Sequence, residues 1–163
     1  MTTTIQSLTF NNTVQLQEVI ALGIQGLSNP SLQLKFGQQL QLSQFPNVAQ
    51  GWSGEVTLSG GAATLDLTNL PFGNLPDINA TGQALRLIAI QADSGNTAAL
   101  AVKPGASNPY SGWVGTNGLI LNANDQQVLG PLWSGATIGS GAKTIDFSSS
   151  MPAALAQVFI LFG

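Results

Sequence analysis

The sequence predicts an all-β protein, a jelly-roll-like β-sandwich with Greek-key connections, preceded by an extended N-terminal arm. Short apolar or alternating runs follow one another along most of the chain, as in sandwiches built from many short strands. Turn signals such as Pro104–Gly105 and Asn117–Gly118 separate these runs at intervals of about ten residues. A segment led by tryptophan occurs twice, which indicates two similar halves.

The strand candidates fall into two patterns. The runs "TIQSLTF" (4–10) and "LQLKFGQQLQL" (32–42) alternate apolar with polar residues, so each would have one apolar face. The runs "ALRLIAIQ" (84–91) and "QVFILFG" (157–163) are continuously apolar, as is typical of strands inside a sandwich. The intervals hold the shorter runs "TAALAV", "LIL", "QQVLG" and "KTIDF". The segment "VQLQEVIALGI" (14–24) has some helical character, but its β-branched residues and glycine favour an extended conformation.

The chain divides into an arm, residues 1–50, and a sandwich domain, residues 51–163, with the irregular stretch 41–52 as the joint. The arm would add strands or reach out to a neighbour. Its aliphatic residues would form an exposed apolar patch that soluble monomers avoid, so we expect it to hold a homo-oligomer together, a trimer by preference. The residues expected at that contact are Leu16, Val19, Leu22, Leu34 and Phe36. In the competing account the arm adds strands to its own sandwich.

The repeated segment reads "WSGEVTLSGGAATLDLT" at 52–68 and "WSGATIGSGAKTIDFS" at 133–148. Glycines separate two short apolar stretches in each copy, which predicts a hairpin, and a proline and a long core strand follow. Period-2 alternation then predicts that Asp66 and Asp146 face outward or bond to turns. The repeat residues expected in the core are Trp52, Leu65, Trp133 and Phe147. The repeat is therefore interpreted as framework, although a chance similarity between β-rich stretches remains an alternative.

The composition excludes several classes of partner. Only 7% of the residues are charged, against roughly 25% in ordinary soluble proteins. Four cations and a net charge of −3 provide neither a basic stripe for nucleic acid nor a polybasic patch for a membrane. The apolar runs are too short to cross a bilayer, and "MTTTIQSLTF" lacks the pattern of a signal peptide, so we expect synthesis in a cytoplasm. A surface this poor in charge suits a protein packed against copies of itself or a larger assembly.

Residue types that carry catalysis are scarce. The chain has no histidine and no cysteine, which excludes Ser-His-Asp triads, cysteine nucleophiles and ordinary zinc or haem sites. We therefore expect no cofactor, no metal and no enzymatic activity. A hydrolase run by two carboxylates remains as a weaker alternative. The acids available to it are Glu18, Glu55, Asp66, Asp77, Asp93, Asp125 and Asp146. Asp93 and Asp125 occur in turn contexts, where such side chains hydrogen-bond nearby backbone.

The stretch "NPYSGW" (108–113) is the main candidate for a binding surface. Exposed aromatic residues in a loop often mark an interface or a platform for sugars. The candidate residues are Asn108, Pro109, Tyr110 and Trp113. In the alternative, the two rings cap one end of the sandwich and are buried. Burial is slightly favoured for Trp113, and the two alternatives weigh equally for Tyr110.

A series of motifs runs in order from about residue 63 to the end: "TLDLTNLP", "LRLIAIQ", "NTAALAVKPGASNPYSGWVG", "QQVLGPLWSG", "KTIDFSSS" and "VFILFG". This order resembles small β-sandwich virion proteins of tailed bacteriophages. The resemblance covers about the last two-thirds of the chain and is built from short motifs. It departs from the usual Pro-Gly-Gly turn at "ANDQQVLGP", before Trp133, and it does not extend to residues 1–50.

The resemblance implies a structural component of a phage particle, often a trimeric decoration or cement protein on the capsid shell. The implied partners are the major capsid protein or other virion proteins, and the implied location is the virion. A tail or fibre component is a second possibility. A receptor- or carbohydrate-binding module that uses Tyr110, Trp113 and nearby Asn108 and Asn117 is a further alternative, which exposure of Trp113 would favour.

Overall fold

The computed structural model describes residues 10–11, 13–14, 48–73, 75–115, 117–130 and 132–163. Every helix or strand in these residues is a β-strand, so the all-β prediction is confirmed. The strands are, in chain order, β1 (Phe10–Asn11), β2 (Thr13–Val14), β3 (Gln50–Thr57), β4 (Ala62–Asp66), β5 (Leu70–Phe72), β6 (Leu75–Ile78), β7 (Leu85–Ala92), β8 (Leu100–Pro104), β9 (Leu119–Leu121), β10 (Gln126–Leu129), β11 (Thr144–Ser149) and β12 (Leu155–Phe162).

Eight of these strands form two antiparallel four-stranded sheets. The first sheet, called the terminal sheet because it contains the C-terminal strand, has the order β10-β7-β12-β3. The second, called the repeat sheet, has the order β4-β11-β8-β9. Along the chain the eight strands pair as nested partners: β3 with β12, β4 with β11, β7 with β10, and β8 with β9. This nested order is that of a jelly roll, in which one long folded ribbon is rolled into two facing sheets. The pairs β1-β2 and β5-β6 form separate two-stranded sheets.

The core lies between the two sheets. Ile88 and Ile90 of β7 belong to the same buried cluster as Ile145 and Phe147 of β11, so side chains from both sheets interdigitate there. Because side chains alternate along a strand, every second residue of the central strands contributes to this interior. Trp52 is buried at the start of β3, and its indole nitrogen donates a hydrogen bond to the carbonyl oxygen of Pro71 at 2.7 Å. The chain thus closes a core without disulfides.

The two copies of the repeat lie side by side. Leu65 in β4 is the direct register partner of Ile145 in β11, its equivalent in the second copy. The long strands that follow the two copies, β7 and β12, also pair antiparallel, with Ile88 opposite Ile160. An antiparallel pairing of equivalent strands places a local two-fold relation between them. Both copies of the repeat therefore belong to the framework, and the local two-fold relates one copy to the other.

The predicted orientation of the repeat residues is confirmed at most positions. Trp52, Leu65 and Phe147 are buried in the core, whereas Asp66 and Asp146 lie on the outer face of the repeat sheet and are half-buried. The prediction that the second tryptophan is also buried is wrong. The side chain of Trp133 is 63% exposed, because it lies in a turn after β10 instead of heading a strand.

The predicted hairpins are also wrong. β3 belongs to the terminal sheet and β4 to the repeat sheet, so the chain crosses from one sheet to the other at the turn Ser59–Ala62. In the second copy, residues 133–138 form no strand, and Thr137 pairs with Ala84 through an isolated bridge. The glycines permit a tight turn in either arrangement. The neighbours in the folded chain, not the turn, decide whether the flanking segments pair.

Most of the predicted arm lies outside the described residues. This holds for the expected oligomer contacts Leu16, Val19, Leu22, Leu34 and Phe36, and for the segment 14–24 apart from Val14. The described part of the arm contains the short strands β1 and β2, with Phe10 opposite Val14. The division of the chain into an arm and a sandwich domain at residue 50 stays a prediction.

Candidate functional site

The loop Gly105–Trp113, between β8 and β9, contains the predicted binding residues and is attached closely to β11. The carbonyl oxygen of Asn108 accepts hydrogen bonds from the backbone N–H groups of Lys143 (2.8 Å) and Thr144 (3.0 Å). The carbonyl oxygen of Thr144 accepts from the N–H groups of Gly105 and Tyr110, both at 2.9 Å. Asn108 adopts a φ of 51°, a left-handed conformation that asparagine tolerates better than most residues. The loop is therefore held by main-chain bonds to the framework.

Tyr110 connects this loop to two further segments. Its hydroxyl group accepts a hydrogen bond from the backbone N–H of Leu85 at 2.9 Å and donates one to the carbonyl oxygen of Ala136 at 2.6 Å. Burial raises the pKa of Tyr110, against the opposing effects of the Leu85 N–H and the Arg86 charge, so the hydroxyl stays protonated and able to donate. The start of β7 and the segment before β11 are thereby fixed to the loop.

The four predicted residues divide into two exposed and two buried. Asn108 and Pro109 are exposed, whereas Tyr110 is completely buried and Trp113 is 5% exposed. The indole nitrogen of Trp113 donates to the carbonyl oxygen of Tyr110 at 2.9 Å. The two rings belong to the core and do not form a platform at the surface of the described chain. Trp113 is thus buried, as the slightly favoured interpretation expected.

Two exposed apolar side chains were not predicted as surface residues. Trp133 and Ile120 are each 63% exposed. Ile120 lies on β9, the edge strand of the repeat sheet, and faces away from the core. The backbone at Trp133 is held in place by Arg86, whose Nη1 donates to the carbonyl oxygens of Leu132 and Trp133, both at 3.4 Å. The proline and glycine around "GPLWSG" mark a turn and were the signal that could have indicated exposure of Trp133.

Four aspartates of the described chain, and Glu55, serve turns or cross-strand contacts. Asp93 Oδ1 accepts from the N–H of Gly95 at 2.8 Å, and Asp125 Oδ2 accepts from the N–H of Asn122 at 2.7 Å, as expected for side chains that close turns. Asp146 accepts from Thr64 Oγ1 and from the Ala106 N–H, both at 2.7 Å. Glu18 lies outside the described residues. Within the described ranges, no three acidic side chains cluster closely enough to hold a metal ion.

Asp66 forms an ion pair with Lys143 across the two copies of the repeat. The Nζ atom of Lys143 lies 2.6 Å from Asp66 Oδ2, and Thr68 donates to Oδ1 through both its N–H and its hydroxyl group. Partial burial acts to raise the pKa of Asp66, but the hydrogen bonds from Lys143 and Thr68 outweigh this and lower the pKa below its ordinary value. The pair bridges β4 to the start of β11, which gives it a structural role.

No protein family and no curated protein matches the sequence. Two solved structures have partial similarity to the chain. One is a chain of the cyanophage Pam1 capsid asymmetric unit, at 15% identity and a TM-score of 0.39, with 69% of this chain and 82% of that chain covered. The other is IMPa from Pseudomonas aeruginosa in complex with an O-glycopeptide, at 14% identity and a TM-score of 0.36, with 72% of this chain but 13% of that chain covered. The part of the chain that the structure describes contains no helix able to span a membrane.

Replacing Tyr110 with phenylalanine tests the role of its hydroxyl group. The Tyr110→Phe variant keeps the ring but leaves the buried N–H of Leu85 without its acceptor, so we expect a loss of about 1–3 kcal/mol in the free energy of unfolding. Urea unfolding measures the loss, with Ser111→Ala at the adjacent exposed position as the control. An unchanged midpoint in the Tyr110→Phe variant would show that the loop is held without this hydroxyl group.

The Asp66–Lys143 pair predicts a specific dependence of stability on pH. Because the pKa of Asp66 is lower in the folded state than in the unfolded state, its stabilisation is complete above the unfolded pKa, about 3.9, and is lost as the pH falls through the folded pKa. Urea unfolding from neutral pH to about pH 3 should therefore show a smaller fall in stability for Asp66→Asn than for the unaltered protein. Asp77→Asn, at an exposed position of β6, is the control. Equal slopes for Asp66→Asn and the unaltered protein would refute the assignment.

Proposed function

We propose that this protein is a non-enzymatic structural component of a bacteriophage particle, a trimeric decoration protein that binds the capsid shell. The observation that carries the proposal is a sandwich framework that leaves an exposed tryptophan on a surface with very little charge. Trp133 is 63% exposed, and charged residues make up 7% of the chain. Such a surface favours contact with other protein surfaces over life as a free monomer.

The position of the resemblance motifs supports the proposal. The quoted "LRLIAIQ" lies within β7, "KTIDFSSS" lies on and around β11, and "VFILFG" includes the end of β12. The "NPYSGW" motif is the loop that Tyr110 attaches to β7. The motifs that resemble phage virion proteins are thus the strands and ties of the nested framework, in the same order.

The roles of the candidate residues also favour a structural component. The aromatic residues that would have served a carbohydrate-binding module, Tyr110 and Trp113, are buried in the core. Asp93 and Asp125 close turns, and Asp66 joins two strands through Lys143. A tail or fibre location remains the alternative within the same class, since the same surface chemistry would serve assembly there.

Labelling of the source particles with antibodies against the purified protein tests the proposal. We expect gold label distributed over the capsid shell in electron micrographs, and density for the sandwich on the shell in a cryo-EM reconstruction. As the blocked control, the antibody is preincubated with an excess of the purified protein before it is applied to the particles. Label confined to the tail would replace decoration by a tail role, and particles without label or density would refute the virion role.

The proposed trimer predicts a change at Trp133. Light scattering should give three times the 16.8 kDa mass of one chain, and Trp133→Ser should lower that mass at equal concentration, because the exposed ring becomes buried between subunits. Ser134→Ala, at the next exposed position, is the control and should leave the trimer intact. A monomeric mass for the unaltered protein would overturn the trimer, and a Trp133→Ser variant that stays trimeric would place the interface elsewhere.

A further inference from the structure

The central strands of the terminal sheet are apolar on both faces. Val158 and Ile160 of β12 point into the sandwich core, so Phe159 and Leu161, between and beside them, point away from it. Their direct register partners on β7 are Ala89 and Leu87, which therefore face the same way. These four side chains form an apolar patch, called the outer patch, on the side of the sheet opposite the core.

The outer patch is covered. Leu87 and Ala89 are completely buried, and Phe159 and Leu161 are 4% and 2% exposed. The repeat sheet packs on the opposite side of these strands, so the interior of the sandwich does not bury them. None of the four belongs to the core cluster. The strands of the two sheets do not account for the burial of these four side chains.

The outer face of the repeat sheet has the opposite character. Its outward side chains include Thr64 and Lys103, which are exposed, and Asp146, which is half-buried. Even the small Ala101 on its inner strand β8 is half-buried there, whereas Ala89 on β7 is completely buried. Apart from Ile120 on the edge strand β9, these outward side chains suit contact with water. The apolar side chains of the outer patch do not.

The patch has a polar boundary towards one end of the sheet. Gln157 Nε2 donates to Glu55 Oε2 at 2.9 Å, and Gln91 is the register partner of Gln157 on β7. The apolar end is the opposite one, where β3 begins. Gly51 is buried beside Leu161, and the N–H of Ala49 donates to the carbonyl oxygen of Phe162 at 2.7 Å. The chain that precedes Val48 therefore joins the sheet next to the apolar end of the patch.

The chemistry of the preceding segment matches this surface. Residues 15–47 contain only two charged residues, Glu18 and Lys35, and many aliphatic ones. In "LQLKF" (32–36) the apolar residues alternate with polar ones, which would give an extended segment one apolar side. An uncharged apolar patch of a few side chains can accept such a segment without leaving a charge unpaired.

We propose that residues 15–47 dock on the outer patch of their own subunit and form a third layer over the terminal sheet. This assignment gives the apolar residues of the segment a burial site in cis. It separates them from the trimer contact, which then depends on other surfaces such as that around Trp133. The virion role is not needed for the proposal, which rests on the geometry of β7 and β12 and on the sequence of residues 15–47.

Thiol labelling of the full-length chain tests the cover, because the native chain has no cysteine. The Ala89→Cys variant places one thiol in the outer patch, and Ala101→Cys places one on the outward side of the inner strand of the other sheet. We expect a maleimide to label Ala89→Cys at least about tenfold more slowly than Ala101→Cys, because reaction there requires the cover to open. Equal labelling rates in two folded variants would overturn the proposal.

Photo-crosslinking identifies the cover. The Ser53→Cys variant of the full chain carries a benzophenone maleimide on the outward side of β3, opposite Phe159. Photolysis of a mixture of unlabelled and ¹⁵N-labelled protein, followed by digestion and mass spectrometry, should link this position to peptides from residues 15–47 of the same isotopic chain. This variant also keeps the test valid if Ala89→Cys fails to fold. Peptides from 48–163, or isotopically mixed pairs that reveal a neighbouring copy, would refute docking in cis.

Discussion

The antiparallel pairing of β7 with β12 is the interaction on which the rest of the structure depends. The two strands are the inner strands of the terminal sheet, and both are apolar on both faces, with Ile88 and Ile160 on the core side and Leu87 and Leu161 on the other. A strand pair of this kind is stable only when both faces are removed from water, because each exposed aliphatic side chain would forfeit its burial free energy. The repeat sheet removes one face of the pair from water, and the burial of the outer patch shows that the other face is removed from water as well.

The remaining framework positions the repeat sheet against this pair. The two copies of the Trp-led repeat contribute β4 and β11, which pair with each other, and the strands that follow the copies are β7 and β12 themselves. Tyr110 attaches the loop after β8 to the start of β7, so the two sheets are also connected at one end through a buried hydroxyl group. The most distinctive aromatic residue of the sequence thereby serves the frame, and the exposed surface is left with Trp133, Ile120 and few charges.

Sequence reasoning failed where a local pattern had two solutions. A glycine turn between apolar stretches is compatible with a hairpin or with a corner between sheets, and the turn at Ser59–Ala62 is a corner because β3 finds β12 and β4 finds β11. Trp133 looks equivalent to Trp52 in the sequence, but it follows the edge strand β10 instead of starting a strand. Neither sheet packs over its ring, which is therefore exposed. For the corner, the deciding partners are more than sixty residues away along the chain, and for Trp133 the pairing of β10 with β7 also lies beyond the reach of any local pattern.

The sequence by itself determined the all-β class, the long core strands 84–91 and 157–163, the burial of Leu65 and Phe147, and the scarcity of catalytic residue types, because alternation and composition are local properties. Only the tertiary structure decided which strands pair, that Tyr110 and Trp113 are buried, and that Trp133 is exposed. It also decided that Phe159 and Leu161 face away from the core, since a continuously apolar run does not reveal which of its two faces meets which neighbour. Long-range pairing assigns the faces, and the faces determine which surfaces remain for assembly.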